Sequence, residues 1–250
     1  MPDDLQSLCA QGQDALLATD YLGAEATLIR AESLALAAGD WEALARLYMP
    51  LQEARRQRRQ RAGEGVVKLD LLATPDQPLD AEALAGRYPH GQLLVGGFGT
   101  IEPALRLREI ARERRLFLDV FLATAYRVNE NVAVAIVPDD HAALPPAGDY
   151  AIDQLQRLLP PHSILLPLTE LPASEQHGNV TTFAHTMAMW EQLAAPFLAA
   201  ADAATEPSMK ISGYRQTLVV DYASEFAHQR LSHTAREMGR VQRNAPRPAV

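Results

Sequence analysis

The chain has one cysteine, Cys9, in 250 residues. No internal disulfide can form, and a reducing compartment is the simpler setting. Long apolar runs are also missing. The longest are of strand length, far short of the roughly 20 residues that span a bilayer. Met1-Pro2-Asp3-Asp4 is acidic and lacks the apolar core of a secretory leader. These absences predict a soluble, cytoplasmic protein with no membrane partner. There is no basic excess: 23 Lys and Arg face 31 Asp and Glu, a formal charge of -8. Such a chain is a poor general binder of phosphate backbones, so nucleic acid is not an expected partner. Catalytic signatures are absent too. The sequence has no Gly-x-Ser-x-Gly elbow, no His-Glu-x-x-His and no paired cysteines. No catalytic residue, metal or cofactor is therefore expected.

What is present is ordinary globular composition, with 48% hydrophobic and 22% charged residues. A chain this long can bury roughly 70% of its surface without staples. Three zones follow one another. Residues 1–62 are Ala- and Leu-rich with helical spacing. Residues 63–172 alternate strand and helix patterns. Residues 173–250 return to helical spacing and end in a tail, from Gln242 through Pro246 and Pro248, expected to fray.

In the first zone Tyr21, Ala24, Leu28 and Ala31 share one helix face, and Asp20 is placed to cap it. Gly39-Asp40 breaks the pattern, and Trp41, Leu44, Ala45 and Tyr48 start another helix. These residues resemble a tetratricopeptide repeat. Trp41-Glu-Ala-Leu44-Ala45-Arg-Leu-Tyr48 carries the Trp-x-x-Leu-Gly/Ala-x-x-Tyr order of that family's first helix. Thr19-Asp20-Tyr21 followed by Ala24, Leu28 and Ala31 is similar to its second. The resemblance covers about one and a half repeats within residues 5–49. It implies a helical hairpin that binds other proteins. The chain then departs from the family, because Gln52 to Arg61 is polar. Three units are normally needed to bury a continuous core. The hairpin is thus either a lone repeat that docks on the rest of the chain or ordinary helix packing. Trp190-Glu-Gln-Leu193-Ala194-Ala-Pro-Phe197 is a weaker echo at the same spacing, interrupted by Pro196.

The middle zone reads as α/β, with strands near 66–72, 93–95, 116–128, 132–136 and 163–168. Helices are expected over 81–87, 100–114 and 150–159. The β-α-β-α-β order predicts parallel pairing of the first three strands. Residues 128–131 are too few for a crossover, so the third and fourth strands should form an antiparallel hairpin. The expected fold is mixed α/β. It comprises an N-terminal tetratricopeptide-like hairpin, a small, mostly parallel three-layer domain of about five strands, and two long C-terminal helices over 179–204 and 208–239.

Three groups are candidate sites. Gly96, Gly97, Gly99 and Thr100 follow a strand and open a helix, a context that suits anion binding by bare amides. It equally suits a tight turn capped by Thr100. Asp139, Asp140 and His141 form a polar cluster that could hold a cation or make a solvated turn. Arg55, Arg56, Arg58, Arg59 and Arg61 form a basic run at a helix C-terminus. They dock an acidic partner or RNA, pair with the protein's own acidic surface, or are a solvated helix end. Replacing Arg55, Arg58 and Arg59 by Gln should leave the melting temperature nearly unchanged; unfolding of that variant would make the arginines structural. Glu225 and His228 share a helix face, but that pair occurs once, too little for a di-iron site.

The leading expectation is a non-enzymatic protein-interaction or regulatory protein. Its partner would be another protein or a second copy of itself. The alternative is an α/β protein that binds a small molecule or nucleotide, even an enzyme, with its anion site at Gly96–Thr100.

Overall fold

The computed structural model describes residues 4–74, 76–141 and 143–244, and the fold is mixed α/β. Two compact units emerge, one from residues 1–58 with 194–250 and one from residues 59–193. This division differs from the three zones of the sequence, because the N-terminal and C-terminal helices share one unit. Among the described residues no helix is long and apolar enough to cross a membrane. Pro246 and Pro248, in the tail expected to fray, lie outside the described residues.

The helical unit contains α1 (Leu5–Leu17), α2 (Tyr21–Ala38) and the first part of α3 (Trp41–Gly63). It also holds the last part of α7 (Val180–Ala203), α8 (Pro207–Val220) and α9 (Glu225–Asn244). Aspartates start the first three helices as expected of N-caps. Asp4 accepts from the Ser7 amide at 2.7 Å, Asp20 from Gly23 at 3.0 Å and Asp40 from Ala43 at 2.9 Å. Gly39 ends α2 in the left-handed conformation, φ 62°, where a side chain would be strained. The core joins Leu28, Ala31 and Ala35 of α2 to Leu44, Tyr48 and Leu51 of α3. Ile211, Tyr214 and Leu218 of α8 and Ala227, Leu231 and Ala235 of α9 complete it. Leu44 and Tyr48 are buried against the C-terminal helices, whereas Trp41 is only partly buried.

One C-terminal helix expected over 208–239 is two. Asp221 accepts from the Ala223 amide and Ser224 from Ala227, so short polar side chains take over backbone bonds and break the helix at 221–224.

The α/β unit runs β1 (Val66–Ala73), α4 (Ala81–Arg87), β2 (His90–Phe98), α5 (Glu102–Glu113), β3 (Phe117–Val128), β4 (Asn131–Ile136), β5 (Asp149–Tyr150), α6 (Ile152–Leu158), β6 (Ile164–Pro167) and β7 (Gln176–His177). Strand order is β6-β4-β3-β2-β1-β7, with β5 paired to β3. The parallel β1–β2–β3 core and the antiparallel β3–β4 hairpin follow the expectation. The sheet is mixed: β1–β2, β2–β3 and the short β3–β5 pair parallel, and β3–β4, β4–β6 and the short β1–β7 antiparallel. The strands β5 and β7, two residues each, carry no periodic signal a sequence could show.

Alternation along β2 and β3 gives the sheet two faces. Leu93 and Val95 of β2 and Leu118, Val120 and Leu122 of β3 pack with Leu107 and Ile110 of α5. The residues between them are of a different kind. Phe121 stacks on Trp190 of α7 with ring centroids 3.9 Å apart. Gln92 accepts from the Thr186 hydroxyl at 2.5 Å. Asp119, the register partner of Gln92, accepts from Arg59 Nε at 3.1 Å. The Arg59 guanidinium lies 4.8 Å from the Trp190 ring centre. Trp190 is therefore a sheet-facing anchor within this unit.

The Arg59 and Asp119 side chains are 2% and 0% exposed. Removing one member of such a pair leaves a buried charge uncompensated, which costs about 3–5 kcal/mol, whereas replacing both by apolar groups is often nearly neutral. Asp119→Asn should therefore cost about 3 kcal/mol in urea unfolding. Arg59→Met with Asp119→Leu should recover most of that loss. A loss under about 1 kcal/mol in the single variant, the level of an exposed pair, would contradict this account.

Candidate functional site

Helix α2 places Ala24, Leu28, Ala31 and Ala35 in the core, and flanks that stripe with two glutamates seven residues apart. Both are buried, Glu25 at 6% and Glu32 at 8% exposure. Helix α3 faces its neighbours along Leu44, Tyr48, Leu51, Arg55, Arg58 and Ala62, an alternating spacing of four and three. Arginines thus occupy the positions that would continue an apolar seam.

The arginines meet the glutamates. Arg55 Nε donates to Glu25 Oε1 at 3.1 Å, and Arg58 Nη1 to Glu25 Oε2 at 2.8 Å. The Arg58 guanidinium also lies 4.2 Å from the Tyr222 ring centre. Burial alone would raise the Glu25 pKa, but the guanidiniums of Arg58 and Arg55 outweigh it and hold the carboxyl below its usual range. Glu32 Oε1 accepts from the Tyr48 hydroxyl at 2.9 Å and from Arg215 Nε at 3.3 Å. Burial, then the adjacent Glu32 charge, push the Tyr48 hydroxyl far above its usual pKa, so it stays a donor.

His228 closes the cluster. Its Nδ1 lies 2.7 Å from the Ser224 carbonyl and its Nε2 lies 3.3 Å from Arg55 Nη1. A carbonyl only accepts and a guanidinium only donates, so Nδ1 carries the proton and Nε2 accepts. Burial, and after it the Arg55 charge, push the imidazole pKa down to about 3.

Beside this cluster lies a cleft of about 270 Å³. Glu32 of α2 and Arg55 of α3 line one side. Helix α8 supplies Ser212, Arg215, Gln216 and Val219, at spacings of three, four and seven, with Leu218 next to them. Helix α8 thus has two working stripes: Ile211, Tyr214 and Leu218 reach the core, and the adjoining stripe faces the cleft. The cleft lining itself carries two positive charges, Arg55 and Arg215, and one negative, Glu32. The two guanidiniums suit the arrangement to holding an anionic group.

The basic run is the main correction. Arg55 and Arg59 are 9% and 2% exposed and Arg58 is partly buried, so they are not a solvated helix end. Their counter-charges are internal, and replacing them by Gln would strand Glu25 and Asp119, contrary to the unchanged melting temperature expected from the sequence. Only Arg56 and Arg61 are exposed, and they pair locally with Glu53 and Glu64.

At Gly96–Thr100 two of the amides are already used. The Gly97 amide donates to the Thr100 carbonyl at 2.9 Å and the Gly99 amide to the Ala125 carbonyl at 3.2 Å. Gly96 must be glycine because a Cβ would meet the Ala123 carbonyl oxygen, and Gly99 sits at φ 68° against Ala147. Thr100 Oγ1 accepts from the Glu102 amide at 3.1 Å, one residue ahead of the α5 N-cap, Ile101, which supplies no side-chain cap bond. The loop has the geometry of a tight turn. Asp139 accepts from the His141 amide at 2.9 Å, while Asp140 and His141 are exposed, 3.6 Å apart. Among the described residues no group of His, Cys, Asp and Glu could hold a metal ion.

Glu25, Glu32, Tyr48, Arg215 and His228 were not singled out together by sequence reasoning. The available signal was acidic residues beside the α2 stripe and arginines at seam positions of α3. Compared with known protein families, curated proteins and solved structures, the chain matches none.

His228 gives a pH signature. Between about pH 6.5 and about 3 the unfolded chain binds a proton at this residue that the folded chain does not, so stability falls as pH falls. Within that window the slope from this group approaches about 1.4 kcal/mol per pH unit. Urea unfolding at about pH 7 and about pH 5 should show this slope shrink in His228→Gln, which keeps a donor and an acceptor but cannot titrate. Equal slopes in parent and variant would refute the assignment.

Proposed function

We propose that the chain is a non-enzymatic recognition protein whose helical unit takes an anionic group of a ligand or partner in the α8 cleft. The observation that carries this reading is the cleft itself: a concavity lined by Arg55, held in a buried network, and by half-exposed Arg215, bonded to the buried Glu32, so that the lining has two positive charges against one negative. A fixed charged lining lowers the ordering cost of binding. The tetratricopeptide-like order of α2 and α3 agrees with a protein-binding role, and a cytoplasmic location goes with the single cysteine. The alternative, a nucleotide or phosphate held at Gly96–Thr100, has less support, since the Gly97 and Gly99 amides are bonded internally.

A thermal-shift panel of small organic anions, cations, nucleotides and divalent metals tests the reading on the full chain. Stabilisation should come from anions, reaching about 2.7 kcal/mol at one hundred times the dissociation constant, and should be lost in Arg215→Gln. Stabilisation by nucleotides that survives Arg215→Gln but vanishes in Gly97→Ala would move the function to the α/β unit.

A further inference from the structure

Resting on the recognition reading above, we infer that the group the cleft takes is a single carboxylate on a short apolar body. The carboxylate sits at Arg215 and Arg55 and its body lies against Leu218 and Val219. Three features of the lining converge on this chemistry.

The first is geometry at the mouth. Arg215 is half-exposed and bonds Glu32 through Nε alone, and its terminal nitrogens make no hydrogen bond among the described residues. A guanidinium is a planar fork that can serve one carboxylate along one edge and a second along another. A ligand carboxylate can therefore join Glu32 at Arg215 without displacing it.

The second is charge. The lining carries Arg55 and Arg215 against Glu32, and behind it Glu25 is shared by Arg55 and Arg58. A monoanion balances the excess of one. A phosphate monoester carries about 1.5 to 2 negative charges at neutral pH. It would overshoot and meet the Glu32 carboxylate inside the same cleft. A cation would meet two guanidiniums.

The third is the apolar wall. Val219 is 56% exposed although it belongs to the same α8 stripe as Arg215. It stands one turn beyond Arg215, next to Leu218. An apolar group attached to the carboxylate would cover surface that Val219 now leaves in water. Ser212, one turn before Arg215, offers a hydroxyl on the opposite side of the charged pair.

The test is a titration of the isotope-labelled full chain at neutral pH and constant ionic strength, following the α8 amides and the Arg Nε resonances. The probes are butyrate, acetate, butyramide, inorganic phosphate and a short capped peptide with a free C-terminal carboxylate. Butyrate should give saturable shifts at Ser212, Arg215, Gln216 and Val219. Butyramide and phosphate should bind about tenfold more weakly or not at all, the loss expected of a charge-assisted hydrogen bond. Arg215→Gln should weaken butyrate by about tenfold. Val219→Asn, an exposed position that leaves the arginines in place, should weaken butyrate and leave acetate unchanged. Saturable binding of the peptide at the same residues, tighter than butyrate, supports the carboxylate class and identifies its source as a polypeptide end. Binding by free butyrate alone supports a small metabolite-like acid.

Phosphate binding as tightly as butyrate, or butyrate binding unchanged in Arg215→Gln, overturns the inference. If the α8 resonances answer phosphate and no carboxylate, the recognition reading stands and the carboxylate assignment falls. If none of the probes or panel compounds moves them, both fall.

Discussion

A guanidinium cannot be taken out of water without a counter-charge held at hydrogen-bond distance, and that constraint organises this protein. Helix α3 carries Arg55 and Arg59 into nearly dry surroundings and Arg58 part of the way. Glu25 sits where the first and last of these need it, and Asp119 where Arg59 does. Burial of such groups yields little net stability, because desolvation offsets attraction. Its effect is on which arrangement is allowed. An apolar seam tolerates a shift of packing, whereas a guanidinium that must find one particular carboxylate does not.

The choice of arginine follows from the same constraint. Only two of the 23 basic residues are lysines, Lys68 and Lys210. A buried ammonium is a point charge that sheds its proton when its partner is imperfect. Arg55 instead engages two partners of different kind, the Glu25 carboxylate through Nε and the His228 ring through Nη1. Arg58 adds an aromatic face, Tyr222, to its carboxylate. A planar fork with several fixed donor directions meets these demands, and lysine in its place would leave one of them unmet.

Patterned features of the fold were legible in the sequence. The parallel β1–β2–β3 core and the β3–β4 hairpin follow from strand periodicity and a short join, and Asp20 caps α2 as its position implied. The candidate site was not legible, for a reason of the same kind. Residue type was read as a proxy for exposure, and Arg55 and Arg59 break that rule because their partners lie far away in sequence, at positions 25 and 119. A count of spacing rather than polarity would have flagged Arg55 and Arg58, since Leu44, Tyr48, Leu51, Arg55, Arg58 and Ala62 keep one period; Arg59 falls outside it. Asp119 stood likewise inside an apolar run on β3, where an isolated acid implies a buried base. The break at 221–224 was hidden because Asp221 and Ser224 look tolerable in a helix until their side chains are seen to capture the amides of Ala223 and Ala227.

The residue at position 228 decides whether the cleft has any charge to offer. Arg55 Nη1 needs an acceptor once Nε is engaged by Glu25. A carboxylate there would satisfy it and would also add a negative charge beside Arg55. A protonated histidine would have no lone pair to give and would add a positive one. Neutral imidazole, with Nδ1–H spent on the Ser224 carbonyl, accepts the bond and contributes no charge. Burial and the Arg55 charge keep it in that form. The single positive excess at Arg55 and Arg215 is therefore maintained by an uncharged acceptor, and the charge of an incoming group can be matched at the cleft rather than inside the core.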